Sequence, residues 1–350
     1  MIRLMIVEDS ATAREMLVYA FASEADIEIV GTAKNGEEAV ESVGRLKPDI
    51  ILMDINMPRL NGYEASQKIM QENPVPILLM SATWDIKEVE KIVKSMNIGV
   101  LGVYEKPYGP GHPRYKELYD KIVLDLRLMS GVKVVRRWNH DADNTIKDFK
   151  NVQKIECKRK CSFVLIGSST GGPPVLHTIL KALPVDYPLP ILVAQHMSDE
   201  FIDSFIQWLD AECAIRVKKA EEGEKISAAK VYIAPAKHHI TLEKNRIRLL
   251  EPDKNELYIP SVSKLFASVN PLDAAEAVAV LLSGMGSDGA EEITNLKQHG
   301  AVTVGQNEAT SVVFGMVNEA IKLGGIEFVL SPEGIKELLL SMQATQKESV

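Results

Sequence analysis

A serine in a glycine-rich turn is the residue of this sequence best suited to act as a nucleophile. The segment Phe163–Pro173 reads FVLIGSSTGGP, so an apolar strand-like run meets a sharp turn, and a helical pattern follows at Val175–Leu183. Residues 167–171 have the pattern G-x-S-x-G, in which such a turn exposes the serine oxygen and directs amide N–H groups towards it. Ser169 is therefore the candidate nucleophile. The alternative interpretations are a plain turn between a strand and a helix and a phosphate-binding turn for a nucleotide.

A serine nucleophile requires a base, and two later strand-like runs end in residues that meet this need. His196 follows the run Ile191–Ala194 after one residue, and Asp288 lies in the glycine-rich loop after Val280–Leu282. A histidine accepts a proton near neutral pH, and a carboxylate holds its tautomer and stabilises the imidazolium. Because parallel strands end at one edge of a sheet, we predict that Ser169, His196 and Asp288 form a catalytic triad.

The glycines around Met285 allow tight backbone geometry, so the N–H groups of Met285 and Thr170 are the predicted oxyanion hole. The chain order Ser–His–Asp differs from the Ser–Asp–His order of α/β-hydrolases, which disfavours the ordinary lipase fold. Other histidines are weaker candidates for the base, because they lie at a predicted hairpin, on a helix or at a helix end: His238, His239, His177 and His299.

Acidic and phosphate-binding residue types follow strand-like runs in the first part of the chain. Glu8 and Asp9 follow the first run, and Asp54 follows the third. Ser81 and Lys106 follow the fourth and fifth runs. Carboxylates at one sheet edge repel each other without a cation, and hard oxygen ligands of this kind suit Mg²⁺. A neighbouring lysine and hydroxyl would neutralise and hydrogen-bond a phosphoryl group, so these residues predict a magnesium-dependent phosphorylation site.

Strand-like and helical patterns alternate along both halves of the chain, which predicts parallel, doubly wound α/β sheets. The strand-like runs begin at residues 4, 27, 50, 77 and 99 and then at residues 163, 191, 231, 277, 301 and 327. A small hairpin is predicted at His239–Glu243 and Arg246–Leu250. The predicted fold is a five-stranded parallel domain followed by a mainly parallel α/β domain with this hairpin inserted.

The region between the two sheets has the character of a linker. Residues 131–160 lose the helical period and carry nine basic and four acidic residues, a net charge of +5 (9 − 4). An aperiodic, charged segment of this kind is typical of a solvated linker, and docking on an acidic face of a domain is the alternative. We therefore predict domains at residues 1–125 and 161–345, joined by a linker at residues 126–160.

The composition excludes several classes of protein. A net charge of −8 argues against a nucleic-acid-binding protein. No apolar run reaches the roughly 20 residues of a membrane helix, so no membrane insertion is expected, and the amino terminus leads directly into a strand without a cleavable signal. The three cysteines cannot all pair, and free thiols are expected at Cys157, Cys161 and Cys213. These features favour a cytoplasmic location.

Residues 1–125 resemble a response-regulator receiver domain with a flavodoxin-like fold, most specifically at DINMP (residues 54–58) and at Lys106-Pro107. The resemblance implies that Asp54 accepts the phosphoryl group and that Ser81 and Lys106 contact it. The Mg²⁺ ligands that it implies are Glu8, Asp9, Asp54 and the carbonyl of Asn56. Receiver domains usually have an aromatic switch residue three positions before the lysine, where this chain has Val103, with Tyr104 one place later.

The second half resembles the catalytic domain of chemotaxis protein-glutamate methylesterases, the CheB family. The resemblance depends on six motifs that occur in the same order: residues 169–172 (STGG), 195–197 (QHM), 260–262 (PSV), 284–286 (GMG), 288–290 (DGA) and 310–316 (TSVVFGM). It implies a catalytic triad of Ser169, His196 and Asp288, with an oxyanion amide from Met285. A triad of this kind works without a cofactor, so the resemblance implies none in the esterase site.

The resemblance of the whole chain implies a phosphorylation-activated enzyme of chemotaxis. Members of this family demethylate glutamate methyl esters on the cytoplasmic domains of chemoreceptors, and many deamidate receptor glutamines. A histidine kinase of the same pathway is the expected phosphodonor. The unphosphorylated receiver is expected to cover the esterase cleft, and phosphorylation of Asp54 is expected to loosen it.

The chain departs from the family pattern at three positions. The family usually has arginine at the positions of Trp208 and Ile259 and aspartate at the position of Ser263. Chemoreceptor methylation helices are rich in acidic groups, so the two missing cations leave other substrates open. The alternatives are a receiver-controlled esterase or amidase with a different substrate and a non-catalytic effector that binds a nucleotide at residues 167–172.

Overall fold

The computed structural model describes residues 1–81, 86–132, 134, 159–253, 256 and 258–344. The chain divides into two compact units, Met1–Thr145 and Ile146–Val350. Most of the predicted linker, residues 133 and 135–158, lies outside the described residues. Among the described residues, no helix combines the length and the apolarity that crossing a membrane requires.

The first unit contains a five-stranded parallel sheet with the strand order β2-β1-β3-β4-β5. Its strands are β1 Ile2–Val7, β2 Ile27–Ala33, β3 Ile50–Asp54, β4 Ile77–Ser81 and β5 Val100–Glu105. Its helices are α1 Ala11–Phe21, α2 Gly36–Leu46, α3 Gly62–Glu72, α4 Ile86–Ile98 and α5 Tyr115–Met129. This is the predicted flavodoxin-like receiver architecture.

The central strands of this unit are apolar because helices cover both faces of a parallel sheet. All five residues of β3 and of β4 are buried, including the polar residues Asp54 and Ser81 at their carboxyl ends. The helices that follow start at polar caps: Ser10 accepts a hydrogen bond from Ala13 N–H, and Asn61 forms a capping box with Glu64. These caps fix where the helices after β1 and β3 begin, and the acidic residues lie at the carboxyl edge of the sheet.

The second unit contains a seven-stranded sheet with the strand order β15-β14-β13-β7-β8-β10-β9. The described strands are β6 Lys160–Cys161, β7 Phe163–Ser168, β8 Ile191–Gln195, β9 Arg216–Lys219, β10 Lys230–Ile233, β11 His239–Glu243, β12 Arg246–Leu250, β13 Ala277–Leu281, β14 Val302–Gln306, β15 Phe328–Leu330 and β16 Gln343–Ala344. The described helices are α6 Gly172–Lys181, α7 Asp199–Glu212, α8 Val262–Ala267, α9 Ala290–Gln298, α10 Met316–Lys322 and α11 Pro332–Ser341.

Every pairing within the seven-stranded sheet is parallel, as the sequence predicts. The predicted hairpin is present, because β11 and β12 pair antiparallel around Lys244 and Asn245, which both have positive φ. Three short strands were missed, namely β6, β9 and β16. β9 reads RVKK and buries only Val217, since it lies at the sheet edge where charged residues prevent further pairing.

The three strands that carry the predicted triad are neighbours in the middle of the sheet. β7 lies between β13 and β8, with Gly167 paired to Leu281 on one side and to Ala194 on the other. Because these strands run parallel, the residues after their carboxyl ends emerge side by side. The loops that begin at Ser169, His196 and Leu282 therefore share one sheet edge.

Candidate active site and phosphorylation site

The turn after β7 holds Ser169 at the start of helix α6. The backbone N–H of Ser169 donates to the carbonyl of Ser283 at 3.0 Å, and Gly171 has φ +78°, which favours glycine. A Cβ on Gly172 would lie 1.8 Å from the hydroxyl oxygen of Ser168, so a side chain there would push the turn apart. The glycines therefore let the chain reverse tightly around a serine with 7% exposure.

The structure brings Ser169, His196 and Asp288 into one hydrogen-bonded row. The Nδ1 atom of His196 lies 3.1 Å from the hydroxyl oxygen of Ser169. The Nε2 atom of the same ring lies 2.9 Å from Oδ2 of Asp288. The three residues are far apart in the sequence, and both distances are within hydrogen-bond range.

Backbone and hydroxyl donors hold the Asp288 carboxylate in place. Its Oδ2 accepts a hydrogen bond from Val262 N–H at 2.7 Å, and its Oδ1 accepts from Ser263 N–H at 2.9 Å and from the Ser261 hydroxyl at 3.1 Å. Burial opposes the charged form, but the hydrogen bonds from His196 and Ser263 outweigh it and lower the pKa of Asp288 to about 2. The carboxylate is therefore ionised at neutral pH.

The state of Asp288 determines which nitrogen of His196 carries the proton. An ionised carboxylate only accepts hydrogen bonds, so Nε2 must carry the proton that faces Asp288. The lone pair of Nδ1 then faces the hydroxyl of Ser169. This arrangement provides an acceptor for the serine proton, which a nucleophilic serine requires.

A buried glutamine that the sequence analysis assigned no role joins the two turns. The Nε2 atom of Gln195 donates to the carbonyl of Ser169 at 3.1 Å and to the carbonyl of His196 at 2.8 Å. Its side chain is 1% exposed. Its position in the sequence could have indicated this role, since Gln195 ends an apolar strand and precedes the candidate base. A buried amide at such a position needs hydrogen-bond partners.

The predicted oxyanion donors are available in the described part of the chain. Neither Thr170 N–H nor Met285 N–H donates to an acceptor among the described residues. Ser283 connects their loops, because its hydroxyl lies 2.7 Å from the carbonyl of Thr170 and also contacts Val312 N–H and Val313 N–H. The role of these donors remains a prediction.

The four histidines that were the weaker candidates for the base have other partners. His239 is fully buried, with Nε2 2.6 Å from Oε2 of Glu256, while Nδ1 accepts from Ser261 N–H at 2.9 Å. The Nδ1 atom of His238 lies 2.9 Å from the carbonyl of Ala236. His177 contacts Trp208, and His299 Nδ1 lies 2.9 Å from the carbonyl of Asn295.

The three departures from the family pattern have different surroundings. Trp208 is 5% exposed, and its ring centroid lies 4.5 Å from that of His177 and 6.1 Å from that of Phe205, so it belongs to a packed aromatic cluster. Ile259 is half-buried. Ser263 supports the site, because its N–H donates to Asp288 and its hydroxyl accepts from Gly289 N–H at 2.8 Å.

The first unit brings the predicted phosphorylation residues together at the carboxyl edge of its sheet. Carboxylate oxygens of Glu8, Asp9 and Asp54 lie within 4.8 Å of one another. The ammonium group of Lys106 lies 2.8 Å from Oε2 of Glu8 and 3.1 Å from Oδ2 of Asp54. Ser81 is fully buried, and its carbonyl accepts from Lys106 N–H at 2.9 Å.

The electrostatics of this acidic cluster favour a bound cation. Burial raises the pKa of Glu8, and the nearby Asp54 charge adds to this effect, although Lys106 opposes it. Burial also raises the pKa of Asp54. Burial alone would lower the pKa of Lys106, but hydrogen bonds and charges from Glu8 and Asp54 raise it. One lysine thus faces two buried carboxylates and the exposed Asp9.

These residues fit Mg²⁺ because hard carboxylate oxygens converge there and one of the three residues, Asp9, is open to solvent. Asn56 is exposed beside this cluster, and its N–H hydrogen-bonds Asp54. Val103 is buried at the usual switch position, and the neighbouring Tyr104 hydrogen-bonds Asp125. Burial and Asp125 raise the pKa of Tyr104 well above its ordinary value.

Comparisons with known proteins agree with this division into two units. The response regulator receiver domain family matches residues 4–114, and the CheB methylesterase family matches residues 164–339. Protein-glutamate methylesterase/protein-glutamine glutaminase 4 of Geobacter metallireducens is 41% identical over 98% of this chain and 99% of its own length. The corresponding protein of Nitrosospira multiformis is 39% identical over 100% of this chain and 99% of its own length.

The CheB methylesterase catalytic domain of Thermotoga maritima, a solved structure, is 35% identical, with a TM-score of 0.49 over 52% of this chain and 98% of that chain. The fold and the matched families define a response regulator with an enzymatic output domain. The chain belongs to the CheB methylesterase family, with a receiver domain before the methylesterase domain.

Proposed function

We propose that this protein hydrolyses glutamate methyl esters on the cytoplasmic domains of chemoreceptors and that phosphorylation of Asp54 activates it. The observation that carries the proposal is the hydrogen-bonded row of Ser169, His196 and Asp288 in a member of the CheB methylesterase family. We further propose domain boundaries at residues 1–125 and 161–345, with a linker at 126–160. We also propose a cytoplasmic location, where the receptor domains and the kinase are accessible.

The first half of the reaction forms an acyl-enzyme. The hydroxyl oxygen of Ser169 attacks the ester carbonyl carbon while its proton passes to Nδ1 of His196. The N–H groups of Thr170 and Met285 stabilise the negative charge on the carbonyl oxygen. The Nδ1–H of His196 then protonates the departing methoxide oxygen, the carbon–oxygen bond breaks, and methanol leaves.

The second half releases glutamate. A water molecule gives one proton to Nδ1 of His196, and its oxygen attacks the acyl carbon. The bond between the acyl carbon and the oxygen of Ser169 then breaks while the imidazolium returns that proton to this oxygen, which restores the free serine and leaves a receptor carboxyl group. Asp288 stabilises the imidazolium at both stages and remains ionised, because its pKa is about 2.

The same groups support deamidation of receptor glutamines. The curated relatives carry the name protein-glutamine glutaminase as well as protein-glutamate methylesterase. With an amide substrate, His196 would protonate the departing nitrogen, and ammonia would replace methanol as the first product. Both reactions proceed through one acyl-enzyme on Ser169, so a single active site accounts for both names.

The receiver residues support activation by phosphorylation. A histidine kinase of the chemotaxis pathway is the proposed phosphodonor, and Lys106 is positioned to neutralise charge at Asp54. The Mg²⁺ ion would be held by the carboxylates of Glu8, Asp9 and Asp54 and by the carbonyl of Asn56. When bound, Mg²⁺ would neutralise the phosphoryl oxygens. An aspartyl phosphate adds charge and acceptors at a loop-built face, and this change can shift a two-state equilibrium by a few kcal/mol.

The proposal is tested by measuring methanol release from methylated receptor membranes. The wild-type chain should release methanol, and the rate should rise when Mg²⁺ and a phosphodonor such as acetyl phosphate are added. The Asp54→Asn variant should show no such rise. Absence of methanol from wild-type reactions, with intact labelling of Ser169 by a small phosphonate, would redirect the proposal to a different ester or amide.

A further inference from the structure

An aromatic ring outside the predicted triad covers one face of His196. The phenol of Tyr258 stacks on the imidazole, with ring centroids 4.9 Å apart and planes 10° from parallel. This offset, near-parallel arrangement is one of the favoured geometries of aromatic pairs. Ser169 and Asp288 contact the two nitrogens at the edge of the imidazole ring. Tyr258 instead contacts the face of the ring.

The other end of Tyr258 reaches the loop that carries the predicted oxyanion donor. A Cβ on Gly286 would lie 2.8 Å from the hydroxyl oxygen of Tyr258 and 3.6 Å from its Cζ. Gly286 has φ +83°, so both its backbone conformation and this contact favour glycine. Tyr258 therefore spans the distance between His196 and the loop that contains Met285.

The exposure of Tyr258 argues against a role in the core alone. The residue is 36% exposed, whereas the side chains of His196 and Asp288 are 12% and 5% exposed. A tyrosine that served only to fill the interior would be buried more completely. Tyr258 therefore lies beside the base of the esterase site and remains partly open to solvent.

We infer that Tyr258 is a positioning residue of the esterase site, which fixes the ring plane of His196 and the Met285 loop and stabilises the imidazolium that forms during acyl transfer. This inference rests on the proposed esterase function. A cation over the face of a tyrosine ring is attracted by the π electrons. Among the described residues, the charged group that pairs with His196 is Asp288, while the hydroxyl of Ser169 meets its other nitrogen and Tyr258 covers its face.

The inference predicts different effects for two substitutions in the full-length chain. Tyr258→Leu removes the aromatic face, so kcat for a small chromogenic ester should fall about tenfold while KM changes less than threefold. The acidic limb of its kcat/KM profile should move about half a pH unit lower, because the protonated base loses the ring. Tyr258→Phe keeps the ring and should recover most of the loss.

Labelling of Ser169 by a fluorophosphonate gives a second readout that does not depend on the receptor substrate. Tyr258→Leu should slow labelling about as much as it slows ester hydrolysis, and the control Tyr19→Leu, at a tyrosine 82% exposed in the other unit, should change neither. An unchanged labelling rate and an unmoved acidic limb in Tyr258→Leu would overturn the inference. Failure of the wild type to release methanol from receptors, with normal labelling, would instead contradict the proposed substrate.

Discussion

His196 faces Ser169 through Nδ1, at 3.1 Å from the serine hydroxyl oxygen. In the chymotrypsin arrangement the serine lies at Nε2 and the aspartate at Nδ1, so this site uses the two nitrogens in the opposite sense. The required chemistry is unchanged, because an acceptor nitrogen faces the serine and a donor nitrogen faces an ionised carboxylate. What changes is the position of the ring relative to its own backbone.

The tautomer of His196 should depend on Asp288. In Asp288→Asn, the side-chain amide can donate to Nε2 of His196, which places the ring proton on Nδ1 and leaves Ser169 without an acceptor. We expect kcat for ester hydrolysis to fall on the order of 10⁴-fold, the loss that the equivalent change causes in serine proteases. The exposed Asp273→Asn is the control and should be active. A loss of less than tenfold in Asp288→Asn would contradict this role.

The pKa of Asp288 has a consequence for stability. Hydrogen bonds hold this pKa at about 2, below its ordinary value of 3.8. The ionised carboxylate therefore stabilises the fold above pH 3.8, and this stabilisation is lost as the pH falls towards 2. The depression of the pKa corresponds to about 2–3 kcal/mol of stability, at roughly 1.4 kcal/mol for each pH unit. Urea unfolding of wild type and Asp288→Asn should therefore give free energies that differ less at pH 2.5 than at pH 6. A difference that is constant over this range would oppose the assignment.

Close packing around the nucleophile should make Gly284 intolerant of a side chain. A Cβ there would lie 2.2 Å from Sδ of Met316 and 2.7 Å from Cβ of Ser169. Gly284→Ala should therefore displace Ser169 and reduce kcat at least tenfold, with about 1–3 kcal/mol of destabilisation. Gly334→Ala is the matched control, because its nearest contact would be 3.3 Å from Leu330. Equal activity and melting temperature in both variants would show that the loop can adjust.

Phosphorylation should require both Asp54 and the cation-binding carboxylates. Incubation with Mg²⁺ and acetyl phosphate should produce an acid-stable, base-labile phosphoryl adduct, and Asp54→Asn should abolish it. Removal of Mg²⁺ by chelation should also abolish it, because the carboxylates of Glu8 and Asp54 would then repel the phosphoryl group with no divalent cation between them. Asp120→Asn, at an exposed helix position, should be labelled normally. A stable adduct on the Asp54→Asn variant would place the phosphorylation site elsewhere.

The sequence predicts the two folds well because alternating strand and helix patterns are strong in both units. It also places Ser169, His196 and Asp288 after strand ends, and the parallel topology brings those ends to one edge of the sheet. It could not predict which nitrogen of His196 faces the serine, because that depends on backbone position. The roles of Gln195 and Tyr258 were missed for a similar reason, since each depends on contacts between loops that are distant in the sequence.

The short strand β9 shows a different limit. Its residues, Arg216–Lys219, are mostly basic, and a pattern with one buried valine resembles an exposed loop. Pairing with β10 at the sheet edge provides the backbone hydrogen bonds that local sequence does not indicate. Tertiary pairing, rather than strand propensity, therefore decides its structure.

The identity of the nucleophile is tested most directly by treating the full-length protein with a fluorophosphonate and locating the adduct by mass spectrometry. We expect one adduct, on Ser169, which is absent from Ser169→Ala and forms much more slowly in His196→Gln. Ser168→Ala, at the adjacent buried serine, is the matched control and should be labelled at Ser169. An adduct on any other serine, or undiminished labelling of Ser169→Ala, would show that Ser169 is not the nucleophile.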